Sequence, residues 1–528
     1  MNDPFDPRRR GLWRHLAILL IAGGGGTFLH AQPTPERIHA PELRGADAWL
    51  NTDTPLTIKD LRGQVVLLDF WTYCCINCMH IFPDLKYLEE KYHDQPLVVI
   101  GVHSGKFSKE KDAAHIRQAI LRHDIRHPVA VDSEFRIWNA YAVRAWPTLV
   151  LIDPEGMIVG FVSGEGHRDT LDREIGRLLT EHREKGTLGK PMRFRPERAG
   201  FEPGLLEFPG KVLADAPGKR LFISDTGHHR VLVTDLAGRV QATIGDGRPG
   251  LRDGTFESAR FHQPQGLALS DDGRHLYVAD TENHAIRDVD LRKRAVRTIA
   301  GTGKQTHDYR ADGPATRTAL SSPWDLARVG DRLYIAMAGT HQIWVLDLKE
   351  DRVRVLAGTG TEAGIDGPND AAAFAQPSGL ATDGARLFVA DSEISSIRTV
   401  ELGLGDETRT LAGRGGLFEF GDRDGAGWEA RFQHPLGVAL AGDTLLVADT
   451  FNDRLRRIDI ERKRVTTWFG VAPAGIAAAD GRALYEPGGL SVGGGTVYVA
   501  DTNHHRIVAI DLTTRKARVL PVRLKEPR

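Results

Sequence analysis

The chain has 528 residues, too many for one compact core, so two or three domains are expected. Its 69 basic and 70 acidic residues leave a net charge of −1. This balance argues against a partner held by bulk charge, such as nucleic acid or an anionic membrane surface. The 57 glycines favour many tight turns and therefore β-structure.

Residues 1–32 have the layout of a secretory signal. Basic residues 8–10 precede an apolar run at residues 16–22, which glycines at 23–26 dilute. The run is short and glycine-rich for a membrane span, and the basic stretch resembles a twin-arginine export motif. We predict a signal peptide or N-terminal anchor and a periplasmic or exported protein. The alternative is a cytoplasmic protein, and membrane contact is expected only through an uncleaved segment.

Residues 33–190 alternate between strand and helix patterns, which indicates an α/β domain. Strands are predicted at residues 65–70, 97–102, 145–153 and 157–162. Helical spacing predicts helices at residues 79–93, 109–124 and 170–184. The order is therefore βα, βα, ββα.

Residues 70–78 hold all three cysteines of the chain, Cys74, Cys75 and Cys78. They lie between a predicted strand and a predicted helix, where the unpaired N–H groups of the first helical turn favour a thiolate over a thiol. Cys75 and Cys78 are three positions apart, so both face one side of that turn and can close a small disulfide. We predict that Cys75 attacks and that Cys78 resolves the mixed disulfide.

The motif and its context resemble the thioredoxin superfamily, in particular its exported branch. The resemblance places Asp69 on the buried acid that assists proton transfer, and Pro147 on the cis-proline that faces the active site. It also places Trp71, Tyr73 and Trp146 near the thiols. A simpler interpretation of Asp69 is an acid at the end of a strand that caps the following turn.

Two departures from that superfamily concern the cysteines. Cys74, an auxiliary thiol, stands where thioredoxins carry Trp, and Ile76-Asn77 replaces the usual Gly-Pro. The extra thiol allows a competing pair between Cys74 and Cys78. The dipeptide between the cysteines helps to set the redox potential, so the redox direction stays open.

A metal site is the alternative role for these thiols. Soft ligands are available from Cys74, Cys75, Cys78, His80 and His103. The spacing of Cys74 and Cys78 resembles that of copper-handling thioredoxin-like proteins. Zinc sites usually need a second ligand pair at a defined distance, which the sequence lacks. We therefore predict no metal and no cofactor, and keep a copper- or thiol-binding chaperone as an alternative function.

Residues 191–206 form a linker that contains Pro and Gly. Residues 207–528 then repeat one short sequence motif. Variants of Leu-Tyr-Val-Ala-Asp recur at intervals of 52 to 58 residues, starting at Leu221, Leu276, Leu333, Leu387, Leu445 and Val497. This period is typical of propeller blades, and turn residues divide each unit into four short strands. The motif resembles the NHL repeat, which implies an all-β six-bladed propeller.

The residues that recur in the blades are predicted to be structural. Every blade has the same hairpin, so Asp280 is expected to bond turn N–H groups, and Asn283 and His284 to stabilise the turn. Blade three departs from the repeat. Its Trp324 and His341 are therefore candidates for a specific contact.

The complete order is a signal, an α/β thioredoxin-like domain and an all-β six-bladed NHL-type β-propeller. This order resembles the family of NHL repeat-containing protein two and its bacterial relatives. We predict a thiol–disulfide oxidoreductase whose propeller docks a protein thiol or disulfide substrate or a redox partner. The alternative is a non-catalytic binding scaffold with vestigial thiols.

Overall fold

The computed structural model describes residues 38–403, 405–470 and 483–524. Every element named below lies in one compact unit, His39–Arg528. The predicted export segment, residues 1–32, lies outside the described residues. Within the described part, none of the helices is long and apolar enough to cross a lipid bilayer.

Residues 48–184 form an α/β domain around one six-stranded sheet. Its elements are β1 Ala48–Leu50, β2 Val65–Trp71, α1 Ile76–Lys91, β3 Leu97–His103, α2 Ala113–Arg122, β4 Val129–Val131, α3 Arg136–Ala140, β5 Thr148–Ile152, β6 Ile158–Ser163 and α4 Arg168–Glu184. The strand order is β1-β4-β3-β2-β5-β6, with β2 parallel to β3 and antiparallel to β5. The predicted thioredoxin-like domain is confirmed.

The central strands agree with the prediction because burial on both faces makes them continuous apolar runs, and all of β2 is buried. The prediction missed β1, β4 and α3, which have three, three and five residues and are too short to show a period. The predicted helix 109–124 is divided. A 3-10 turn, Lys109–Lys111, precedes α2, and the Asp112 carboxylate caps α2 by accepting the N–H of Ala114 at 2.8 Å.

Strand β2 presents alternate side chains to two different cores. Val65 and Leu67 pack with residues of α1 and α4 on one face of the sheet. Leu68 and Phe70 pack into a separate cluster on the other face. Asp69 therefore lies on the same face as α1, the helix that follows the cysteines.

Residues 212–520 form six antiparallel sheets, the blades of a propeller. Blades one to three are β7 Val212–Asp215, β8 Arg220–Asp225, β9 Arg230–Asp235, β10 Val240–Ile244; β11 Gly254–Thr255, β12 Pro264–Leu269, β13 His275–Asp280, β14 Ala285–Asp290, β15 Ala295–Ala300; and β16 Asp312–Pro314, β17 Pro323–Val329, β18 Arg332–Met337, β19 Gln342–Asp347, β20 Arg352–Ala357. Blades four to six are β21 Gly367–Pro368, β22 Pro377–Thr382, β23 Arg386–Asp391, β24 Ser396–Glu401, β25 Glu407–Ala412; β26 Gly425–Ala426, β27 Gly437–Ala441, β28 Thr444–Asp449, β29 Arg454–Asp459, β30 Arg464–Phe469; and β31 Pro487–Gly493, β32 Thr496–Asp501, β33 Arg506–Asp511, β34 Ala517–Leu520. The six-bladed propeller is confirmed, and a short outer strand joins the four predicted strands in blades two to five.

The repeated acid has the structural role predicted for it. Asp280 accepts the backbone N–H of His262 and also pairs with Arg287, both at 2.7 Å. Asn283 donates a further hydrogen bond to Asp280 at 2.8 Å. Equivalent carboxylates accept backbone N–H groups in four other blades, at Asp225, Asp391, Asp449 and Asp501.

Side chains from each blade bond the backbone of the next blade. Between blades two and three, Nδ1 of His284 accepts the N–H of Ser322 at 3.0 Å, so the side chain of this histidine is structural but joins two blades, whereas the sequence predicts that it stabilises its own turn. Between blades six and one, Nδ1 of His505 accepts the N–H of Phe208 at 3.0 Å. These bonds connect the last blade to the first and close the ring.

Lys211 occupies the propeller axis. Its ammonium group donates to the carbonyl oxygens of Ser378 at 2.8 Å and Leu436 at 2.5 Å, and pairs with Asp325 at 3.2 Å. These four residues belong to blades one, four, five and three. A cation of the protein itself therefore holds four blades together at the axis.

Candidate functional site

The cysteines lie between the end of β2 and the first turn of α1, as predicted. Cys75 is the residue before α1 and has extended backbone angles, φ −80° and ψ 118°. Its carbonyl oxygen accepts the N–H groups of Cys78 at 3.1 Å and Met79 at 3.2 Å. All three cysteines are free thiols, with Cys74 and Cys78 buried and Cys75 half-buried. Cys75 is therefore the more accessible member of the C-x-x-C pair.

Asp69 is a fully buried acid near Cys78. Neither of its carboxyl oxygens has a hydrogen-bond partner among the described residues, so the simpler interpretation of Asp69 as a turn cap is wrong. Burial raises the pKa of Asp69 to about 7, although His127 opposes the shift. Burial, followed by the effects of Cys75 and Asp69, raises the pKa of Cys78 well above the ordinary thiol value. An acid that titrates near neutral pH beside a protonated thiol can accept and return the proton of that thiol.

The peptide bond between Trp146 and Pro147 is cis, as the resemblance to thioredoxins implies. Thr148 follows and pairs with Phe70 on β2, so Pro147 lies level with the end of β2, from which the cysteine motif departs.

Three aromatic residues surround the thiols. Trp71 and Tyr73 are buried in one cluster with Cys74 and Cys78, and Trp146 packs against that cluster. The structure thus brings the predicted neighbours Trp71, Tyr73 and Trp146 to the cysteines.

The propeller covers this side of the thioredoxin-like domain with a ring of six residues that we call the rim. Each rim residue precedes a Pro that lies at the start of its blade's innermost strand or up to three residues before it, and has a left-handed backbone, with φ between 45° and 63°. The rim residues are Phe208, Gln263, Ser322, Gln376, His434 and Glu486. All of them except Ser322 enclose, with Tyr73 and Met79, a cavity of about 50 Å³. The rim was not predicted, although the repeat shows it as a variable residue before an invariant Pro.

Gln376 of the rim binds the cysteine motif directly. Its Oε1 accepts the N–H of Ile76 and its Nε2 donates to the carbonyl oxygen of Cys74, both at 2.9 Å. The backbone N–H of Gln376 donates to Nδ1 of His341 at 3.1 Å. Burial lowers the pKa of His341 to about 4, so the ring is neutral and accepts this bond. The candidate His341 therefore positions Gln376.

The first turn of α1 packs onto blade three. Ile76 and Met79 form a small hydrophobic cluster with Trp324 and Ala338 of that blade. Trp324, the other candidate from the irregular repeat, is therefore a contact residue. Two residues of blade three that differ from the repeat, Trp324 and Ala338, therefore contact α1.

His80 extends this contact on the next turn of the helix. Its Nε2 is hydrogen-bonded to Oγ of the rim residue Ser322 at 2.7 Å, and its Nδ1 lies 3.0 Å from Glu165. A Cβ atom at Gly339 would lie only 2.8 Å from the His80 ring. Glycine in blade three thus leaves space for the histidine.

Cys74 is held in a buried charged network at the interface. Its N–H donates to Oε1 of Glu110 at 2.8 Å, and Lys106 pairs with Glu393 of the propeller at 2.5 Å. Burial, then Glu110 and Glu393, raises the pKa of Cys74 well above the ordinary thiol value. Cys74 is consequently a buried, protonated thiol and not an exposed nucleophile.

Glu486 of the rim is the main polar anchor between the two domains. It accepts hydrogen bonds from the Tyr73 hydroxyl at 3.1 Å and Arg122 at 3.0 Å, and lies 2.7 Å from Nδ1 of His115. Burial opposes ionisation of Glu486, but His115 and Arg122 outweigh it and lower its pKa to about 2. The carboxylate therefore stays charged inside the interface.

The potential metal ligands near the thiols have other partners. Nε2 of His103 accepts the N–H of Tyr73 at 3.3 Å, and burial lowers the pKa of His103 to about 3. In the part of the chain that the structure describes, the group of three acids and histidines close enough to share an ion is Asp153, Glu155 and His182. This group contains none of the cysteines.

A thioredoxin-like family model matches residues 63–158, and an NHL repeat model matches residues 261–287 and 484–510. Fold and site together define a protein that joins a thioredoxin-like domain to an NHL propeller. The chain is 42% identical over 523 residues to NHL repeat-containing protein 2 of Bos taurus, which covers 91% of this chain and 71% of that protein. The chain belongs to the NHL repeat-containing protein 2 family.

Two other relatives match most of the chain and its thioredoxin-like domain, respectively. It is 44% identical over 506 residues to the chloroplastic protein SUPPRESSOR OF QUENCHING 1 of Arabidopsis thaliana, covering 92% of this chain but 48% of that protein. The chain thus spans about half the length of that relative. The thiol-disulfide oxidoreductase YkuV of Bacillus subtilis is 31% identical over 142 residues, which is 27% of this chain and 94% of YkuV. The thioredoxin-like domain is therefore related to thiol–disulfide oxidoreductases.

Proposed function

We propose that the protein is a thiol–disulfide oxidoreductase in which Cys75 attacks, Cys78 resolves, Asp69 transfers the proton and Pro147 shapes the substrate groove. The observation that carries this proposal is the buried carboxyl group of Asp69 beside Cys78. Its oxygens have no hydrogen-bond partner in the described residues, and its pKa is raised to about 7 by burial. Burying such an acid without a partner costs stability, and a strongly perturbed pKa beside a reactive thiol is typical of a functional site.

The reaction balances within the dithiol. The Cys75 thiolate attacks a substrate disulfide, forms a mixed disulfide and releases one substrate thiol. Cys78 gives its proton to Asp69 and attacks Cys75, which closes the Cys75–Cys78 disulfide and releases the second substrate thiol. The protein dithiol is oxidised and the substrate disulfide is reduced, and the reverse sequence oxidises a substrate dithiol.

The propeller forms the other side of this site, opposite the thioredoxin-like domain. Thioredoxin-like and propeller domains commonly mediate protein interactions. Because Gln376 and Trp324 lie against the first turn of α1, a partner that reaches Cys75 must also meet the propeller. This supports a protein thiol or disulfide as substrate or redox partner, docked on the propeller.

The test replaces each cysteine separately. Cys78→Ser should accumulate a mixed disulfide with substrate, because the resolving thiol is lost, whereas Cys75→Ser should form none and lose exchange. Trapped adducts are identified by mass spectrometry after separation without reductant. Cys74→Ser is the matched control and should retain exchange. Wild-type protein that exchanges with neither a dithiol nor a disulfide would refute the proposal.

A non-catalytic scaffold is the second candidate, and the covered thiol face favours it. Cys74 and Cys78 are buried and the rim closes over the motif. This hypothesis expects the variant with all three cysteines replaced by serine to capture its partners as the wild type does. Partner capture lost in that variant but kept in Cys74→Ser would exclude it.

We also propose that the protein is exported to the periplasm. The support is the basic and apolar pattern of residues 1–32. Fusion of residues 1–40 to a reporter enzyme active only outside the cytoplasm tests this, with lysines in place of the two arginines at positions 9 and 10 as the control. Reporter activity that survives this change would argue against a twin-arginine route, and a silent wild-type fusion against export.

A further inference from the structure

His127 stands between the buried acid and solvent. Asp69 on β2 is paired with Gly101 on β3, which has no side chain on that face of the sheet. A Cβ atom at Gly101 would lie 2.8 Å from Nε1 of Trp71, 3.2 Å from the Val129 side chain and 3.5 Å from Nε2 of His127. The indole of Trp71 and the imidazole of His127 thus share the space that Gly101 leaves open next to Asp69.

The other ring nitrogen of His127 faces a second acid. Nδ1 lies 3.3 Å from Oε1 of Glu89, a residue of α1. The Glu89 side chain is 29% exposed, whereas that of His127 is 4% exposed. One imidazole therefore has a buried acid near one nitrogen and a solvated acid at the other.

Glu89 and His127 both line a crevice between α1 and blades one and two. The crevice has a volume of about 270 Å³, enough for several water molecules. The other charged residues of the α/β domain that line it include Lys86, Asp124 and Arg126. Solvent can thus reach Glu89 on the side away from the thiols.

The polar atoms between these groups are unsatisfied. Within the described ranges, both ring nitrogens of His127, Nε1 of Trp71 and both carboxyl oxygens of Asp69 make no hydrogen bond, although buried polar groups normally do. The charges nevertheless interact. Burial lowers the pKa of His127, but Glu89 and Asp69 outweigh it and raise the value overall. The interaction between His127 and Asp69 also opposes the rise that burial causes in the pKa of Asp69.

The route through the thiol face is covered by the propeller. Cys78 is fully buried, and the Cys74 and Ile76 backbone is bonded to Gln376. A proton that Asp69 takes from Cys78 must still reach solvent before the next cycle. The crevice beyond His127 offers that exit.

We propose that His127 and Glu89 conduct the proton between Asp69 and the crevice. This inference rests on the proposed exchange reaction and names its proton route. After Cys78 protonates Asp69, the acid gives a proton to Nε2 of His127, directly or through one water, and Nδ1 releases a proton to Glu89 and solvent. The reverse sequence supplies the proton when the disulfide is reduced. No electron moves along this path.

The experiment measures the resolving step alone. An aromatic disulfide such as dithiobis(nitrobenzoate) releases one coloured thiolate when Cys75 attacks and a second when Cys78 resolves. Near neutral pH much of Asp69 is protonated and must lose that proton through the relay before it can accept the proton of Cys78. In His127→Ala and Glu89→Gln the second phase should therefore slow by about tenfold or more, since positioned acid–base groups contribute at least that factor. Imidazole in the buffer should restore the rate of His127→Ala by entering the crevice. A simple packing defect would not respond to imidazole.

His123→Ala is the matched control, because His123 lines the same crevice. Its second phase should keep the wild-type rate and ignore imidazole. Glu89 is partly exposed, so Glu89→Gln keeps the test valid if His127→Ala fails to fold. A second phase of wild-type rate in both variants, or no response of a slowed His127→Ala to imidazole, would overturn the inference.

A separate readout distinguishes this inference from the exchange activity itself. Wild-type protein without a second phase would refute the proposed exchange reaction. In that case the Asp69 carboxyl is titrated by carbon NMR in wild type and His127→Ala. Its pKa should rise in the variant because His127 lowers it, and an unchanged value would overturn the inference on its own.

Discussion

Met337 and Trp344 of blade three occupy the two positions that carry a buried aspartate–arginine pair in neighbouring blades. Trp344 is paired with Ile335 as Arg287 of blade two is paired with Val278. In place of a carboxylate, Sδ of Met337 lies 3.3 Å from the N–H of Ser321. Blade three carries neither charge, and either one alone would be buried at these positions without its partner.

Restoring the acid alone should therefore damage the blade. Met337→Asp places an unpaired carboxylate in a fully buried position, and we expect a loss of about 3–5 kcal/mol in the free energy of unfolding. Adding Trp344→Arg should recover part of that loss through a new ion pair. Urea denaturation of the two single variants and the double variant gives the coupling energy. Additive effects would contradict this account.

Gln376→Ala should expose Cys75. The variant removes the two hydrogen bonds to the backbone on either side of Cys75, so we expect alkylation of Cys75 by iodoacetamide to accelerate by about tenfold, which corresponds to about 1.4 kcal/mol. Peptide mapping by mass spectrometry gives the rate for each cysteine. Gln433→Ala is the control, because Gln433 accepts an interdomain bond from the N–H of Lys109 at 3.2 Å. Equal acceleration in both variants would indicate general loosening of the domains.

Asp69→Asn should stabilise the protein at neutral pH. The folded-state pKa of about 7 exceeds the unfolded value near 4, so the folded state binds the extra proton between these values and loses stability as pH rises. The variant should equal the wild type near pH 4 and exceed it by about 4 kcal/mol at pH 8. Urea denaturation across this range, with the exposed Asp53→Asn as control, measures the difference. Parallel stability curves for wild type and Asp69→Asn would contradict the expectation.

Glu486→Gln should show the opposite dependence on pH. The folded-state pKa of about 2 lies below the unfolded value near 4.3, so the carboxylate contributes stability above the unfolded pKa and loses it as pH falls towards 2. The wild type should exceed the variant by about 3 kcal/mol at pH 6, and the two should converge near pH 2. The exposed Glu184→Gln serves as control. A stability difference that is independent of pH would show that Glu486 acts through packing.

Much of the fold can be predicted from the sequence because it depends on local patterns of apolar residues and on the repeat. Buried strands are apolar runs, α1 has helical spacing, and the propeller repeats one motif in every blade. Short elements such as β1 and β4 carry too few residues to show a period, and they form because the sheet edge pairs with them. The pair Cys75 and Cys78 is equally local, since its spacing in one turn defines it.

The sequence by itself determined the two domain types, the position of the thiols before a helix and the structural role of the repeated acids. Only the tertiary structure decided that the propeller lies over the thiols, through Gln376 and Glu486. Those residues are about 300 and 410 positions from the cysteines. The physical reason is that the repeat fixes each rim backbone but leaves its side chain free to vary. The thioredoxin-like domain that packs on the rim determines which side chain fits at each rim position. A local sequence pattern carries no information about that distant domain.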